Sequence, residues 1–84
     1  MSAEVVSVVR HGIDAVEITV RRDQDVRRYT LTSVDTPVMP VIEYDSQFHA
    51  DFSDSADARM VMFSLARNVL RDEEVDLPLR LTDQ

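Results

Sequence analysis

The sequence predicts an α+β domain: an antiparallel sheet of about five strands, mostly a meander, with one long C-terminal helix packed on one face. Three observations lead there. Residues 3–52 carry β-branched segments with a period near two, separated by short polar breaks. Residues 55–71 change to a period of 3.6. The chain has 84 residues, too few for two hydrophobic cores, so 1–84 reads as a single domain. A small, partly open barrel plugged by the helix is the competing architecture.

Each element has its own justification. Residues 3–10 (AEVVSVVR) are apolar on both alternations, which predicts a strand covered on both faces. Gly12, the only glycine, marks a turn after it. Residues 15–22 alternate cleanly, with Val16, Ile18 and Val20 inward and Glu17, Thr19 and Arg21 outward. After the polar turn Asp23-Gln24-Asp25, residues 26–33 return as a third strand with Tyr29 and Leu31 inward. Residues 38–44 predict a fourth strand, placed at an edge or carrying a bulge because Pro40 cannot donate to a ladder. Asp45-Ser46 reads as a turn. Residues 47–52 then predict a fifth strand, with Phe48, Ala50 and Phe52 inward and Gln47, His49 and Asp51 outward.

Ser53, Asp54 and Ser55 offer helix N-caps, and Asp57 is an acid suited to the first turn. Over 55–71 an arc of about 200° collects Ala58, Val61, Met62, Phe63, Leu65, Ala66, Val69 and Leu70, wider than the usual stripe. One side of that arc can pack on the sheet while the other meets a second copy. Asp72, Glu73 and Glu74 suit a helix C-terminus poorly, so the helix should end near Arg71. Leu77, Leu79 and Leu81 predict a short last strand or docked tail, and Thr82 to Gln84 a frayed end.

Composition narrows the chemistry. The formal charge is −7, from sixteen acids against nine arginines and no lysine. GC-rich coding explains the missing lysine. A high-salt cytoplasm explains it together with the aspartate excess, because a Debye length of about 3 Å at molar salt screens carboxylate repulsion. The absence of cysteine excludes disulfides, thiolate nucleophiles and sulfur-ligated metals. One glycine leaves no room for a glycine-rich phosphate loop. No apolar run nears the ~20 residues of a membrane span, and the N-terminus lacks a signal-type pattern, so a cytoplasmic location is expected.

Three constellations remain. Arg21, Arg22, Arg27 and Arg28 flank one turn and form a candidate partner-binding patch, since guanidinium forks bind phosphates and carboxylates. The bland reading is a solvated hairpin tip, partly neutralised by Glu17, Asp23 and Asp25. The acidic field opposes direct nucleic-acid binding. Met60, Val61, Phe63 and Leu70 are the candidate dimer interface, and the acidic run Asp72 to Asp76 could meet arginines of a second chain. His49 and Asp51 on one strand face, with Glu43 across a hairpin, are the weakest candidate metal or acid–base group. The bland alternative is a solvated polar face.

The expected function is therefore a small non-enzymatic, homodimeric interaction module with an unidentified macromolecular partner, no membrane association and no cofactor. The alternative is an acidic nucleic-acid mimic that inhibits a basic protein, since ten of the sixteen acids lie from Glu43 onward against four arginines.

Overall fold

Alternation along residues 15–22 places Val16, Ile18 and Val20 on one face, where all three are buried. The rest of the fold is built around that face. The computed structural model describes residues 3–81. They form β1 (Ala3–His11), β2 (Ala15–Arg22), β3 (Asp25–Val34), β4 (Val41–Tyr44), α1 (Ser46–Phe52), α2 (Ala56–Leu70) and β5 (Leu79–Leu81). The sheet is antiparallel throughout, in the order β4-β3-β2-β1-β5, so the first four strands form a meander and the last returns beside the first. β4 and β5 are its two edges, and the sheet does not close into a barrel.

The expected α+β class, the five strands and the short last strand are all present. The fifth strand, however, is β5 and not residues 47–52. Those residues form the short helix α1, and the reason lies in Asp45. One of its carboxylate oxygens accepts from Phe48 N at 2.8 Å, an N-cap that starts a helix, while the other accepts from Thr30 N at 3.0 Å and ties that start to β3. Phe48 and Phe52, four residues apart, then share one helical face and are both buried, whereas Ala50 is exposed. β4 is also shorter than expected. Pro37 and Pro40 keep Val38–Pro40 out of the ladder, and the loop instead folds on Thr36, whose hydroxyl accepts from Val38 N and Met39 N.

β1 carries apolar residues on both alternations for a different reason than double cover. The register shifts between Val5 and Ser7, and this bulge re-phases the strand. Val5 opposite Val20 and Val8 opposite Ile18 therefore point to the same, helix-covered face. Among the described residues nothing forms a second layer on the other face, and Val9 on it stays exposed.

α2 lies across that covered face, contacting β1, β2 and β3. Ala58, Met62, Leu65 and Ala66 are its buried residues. Its end is a Schellman motif: Glu73 N donates to Asn68 O at 2.8 Å and Asp72 N to Val69 O at 3.0 Å. Asp72, at φ 59°, takes the left-handed position that glycine usually fills. The tight β1–β2 turn relies on Gly12 at φ 79°. Arg10 braces that end of the molecule, donating to Gly12 O at 2.9 Å and pairing with Asp72 at 2.7 Å.

Candidate functional site

Strand parity decides the fate of the four hairpin arginines. Arg22 pairs with Asp25 across a two-residue turn of Asp23 and Gln24, with Asp23 at φ 56°. Arg22 shares the parity of Val20, and Arg27 lies opposite Val20, so both face the helices. Arg21 and Arg28 point to the bare outer face. The expected cluster is thus two pairs on opposite faces, a consequence of side chains alternating along a strand. Each arginine also has a local partner. Arg21 pairs with Glu4, Arg28 Nε lies 3.9 Å from Glu17, Arg27 bonds Asp51 at 3.1 Å, and the Arg22 guanidinium sits 5.2 Å from the Phe52 ring centroid.

The helix-facing pair belongs to a polar network that sequence reasoning did not find. Asp51 on α1 accepts from Tyr29 Oη at 2.6 Å, Arg27 Nη1 at 3.1 Å and Gln47 Nε2 at 2.9 Å. Beside it lies a small cavity of about 90 Å³, lined by Val20, Arg22, Asp25, Arg27, Tyr29 and Asp51. Arg22 Nε is buried there and, among the described residues, meets no acceptor. Burial, and then the hydrogen bond to Asp51, push the Tyr29 hydroxyl above its ordinary range, so it stays a neutral donor. Burial opposes ionisation of Asp51, yet the hydrogen bonds from Tyr29 and Gln47 and the Arg27 charge outweigh it and hold the carboxyl below its usual value. Chemically, this arrangement anchors α1 to β3.

That depressed pKa has a testable consequence. A carboxylate whose folded pKa lies below its unfolded value, near ~3.9, stabilises the fold above that pH and loses the contribution as pH falls through the folded value. The stability gap between the native chain and Asp51→Asn should therefore be widest above about pH 4 and close below it. Urea melts across the acid range measure this, and parallel curves would remove Asp51 from the balance.

The third constellation does not assemble. His49 and Asp51 lie on a helix, where residues two apart point about 200° apart. His49 stacks on Tyr44, with ring centroids 6.0 Å apart, while Asp51 turns to the sheet. Glu43 faces outward opposite Thr32. Among the described residues, no group of three His, Cys, Asp or Glu is placed to hold a metal ion.

The candidate dimer residues separate as well. Met60 is exposed, whereas Val61, Phe63 and Leu70 are half-buried against the core. Phe63 lies beside Tyr44, at 5.7 Å between centroids, so α2 turns its Phe63 flank toward β4. At 100° per residue Met60, Arg67 and Leu70 share that flank and Val61 lies on the opposite one. The two most exposed apolar side chains lie elsewhere, in the two loops at one end of the sheet: Ile13 is 86% and Val38 88% exposed, with Met39 next to Val38. Between these loops and the end of α2 run two adjoining grooves. One, of about 680 Å³, is lined by Ile13, Asp14, Ser33, Val34, Asp35 and Leu70. The second, of about 370 Å³, shares Ser33 and Leu70 and adds Met39, Ile42, Arg67 and Arg71.

The acids expected for mimicry are scattered. Asp45 caps α1 and Asp51 anchors it. Asp54 and Asp57 flank the start of α2, about 22 Å along the helix from Asp72 to Asp76. Among the described residues, no helix is long and apolar enough to cross a membrane. No family model, no curated protein and no solved structure matches this chain.

Proposed function

We propose that this chain is a small, non-enzymatic protein-interaction module that acts in the cytoplasm as a homodimer. One observation carries the reading: the apolar end where Ile13 and Met39 line the grooves beside α2 and Val38 stands exposed next to Met39. Apolar side chains concentrated at one place on a small domain mark an association surface more often than scattered ones do. A standard contact covers about 800 Å² per partner, against a total surface of 5701 Å². The end that carries the grooves, continued along the Met60 flank of α2, supplies a surface for it. The bare outer face of the sheet, with its Arg21–Glu4 and Arg28–Glu17 pairs, then remains open for a further macromolecule.

Light scattering across a concentration series tests the dimer. A mass near twice 9.6 kDa is expected. Val38→Asp, which alters an exposed side chain, should return the chain to the monomer mass. A native chain that stays monomeric at every concentration would end this reading.

A further inference from the structure

Charge at the apolar end specifies how two copies meet. In the β2–β3 hairpin Arg21, Arg27 and Arg28 already face acids of the same chain and Arg22 is half-buried over the Phe52 ring, so they are poor receivers for another chain's acids. Arg67 and Arg71 differ. Both are exposed, both line the groove that includes Met39 and Ile42, and among the described residues neither has an acid within ion-pair distance. Glu73 and Glu74 follow within three residues, are exposed, and likewise have no basic partner among the described residues. Asp72, in contrast, is held by Arg10. One end of the molecule thus carries an open cationic pair beside the open acids Glu73 and Glu74, with Asp14 and Asp35 lining the neighbouring groove and Ile13 and Val38 protruding beside it.

A patch that holds plus with minus, and protrusion with hollow, is what a two-fold contact between identical chains requires, because the same patch serves on both sides. We propose that a second copy docks on this end about a two-fold axis, with Arg67 and Arg71 of each copy meeting Glu73 and Glu74 of the other. This rests on the homodimer reading above. The net charge of −7 makes two copies repel at long range. Local pairs of opposite sign therefore fix the register of approach, while the apolar side chains Ile13, Met39, Ile42 and Leu70 in the grooves supply the burial.

The test is a charge swap in the full-length chain, read by sedimentation equilibrium at fixed ionic strength. Arg67→Glu with Arg71→Glu should raise the dimer dissociation constant at least about tenfold, and Glu73→Arg with Glu74→Arg should do the same. All four positions are exposed, and far-UV circular dichroism checks that each variant keeps the fold. Mixing the two variants should restore a dimer near native affinity, as a heterodimer with its charges exchanged. Two results overturn the proposal while leaving the homodimer reading intact: variants that dimerise as well as the native chain, or a mixture that stays as weak as its components. A monomeric native chain removes both.

Discussion

Phe48→Ala is expected to lower the unfolding free energy by about 3–5 kcal/mol, the usual cost of deleting a buried aromatic ring. The ring is fully buried, and its neighbours come from four elements. Tyr29 of β3 lies 5.7 Å away between centroids, edge-on. Tyr44 of β4 is at 4.9 Å, Phe52 of α1 at 5.2 Å and Phe63 of α2 at 5.8 Å. Removing it leaves a cavity and also frees α1, whose seven residues are too few to hold a helix without docking. The loss should therefore lie toward the upper end of the range. Urea denaturation measures it, with an unchanged m-value if the native state survives. A loss below about 1 kcal/mol would mean that α1 is not part of the cooperative core. A strand over 47–52 would also bury Phe48, so the mutation alone does not separate the two. Asp45→Ala does, because only the helix uses that carboxylate as a cap, and about 0.5–2 kcal/mol is then lost.

What could be read from residues alone follows physical lines. The strands with one covered face were legible because the pattern repeats often enough to be unambiguous: Val16, Ile18 and Val20 in β2, Tyr29 and Leu31 in β3. α2 was legible because fifteen residues give four turns of one period. α1 was not, since Phe48, Ala50 and Phe52 satisfy a period of two and Phe48 and Phe52 equally satisfy a helical spacing of four. The deciding signal was Asp45, an N-cap three residues ahead of Phe48, which resembles a turn residue when read locally. The split of the hairpin arginines was also within reach: carrying the Val20 and Tyr29 alternation through the turn places Arg22 and Arg27 inward. The Tyr29–Asp51 bond was not, because it joins residues twenty-two apart through a helix that the periodicity did not reveal.

Leu65→Ala should cost about 2–5 kcal/mol, and its contrast with Met60→Ala tests which part of the broad apolar arc of α2 seals the sheet. Leu65 is 6% exposed and belongs to the single core cluster, alongside Met62 and Ala66. Met60, one and a half turns earlier, is 66% exposed. Truncating Met60 removes little buried surface, so the monomer's stability should change by no more than about 0.5 kcal/mol. The two variants should also separate in the second property. If α2 has spare apolar area for a second copy, Met60→Ala weakens association while leaving the fold intact, whereas Leu65→Ala weakens the fold first and association only as its consequence. Equilibrium melts in dilute solution and sedimentation at high concentration distinguish these outcomes. Equal stability losses at the two positions would mean that α2 is sealed all round, with its dimer-facing flank already part of the core.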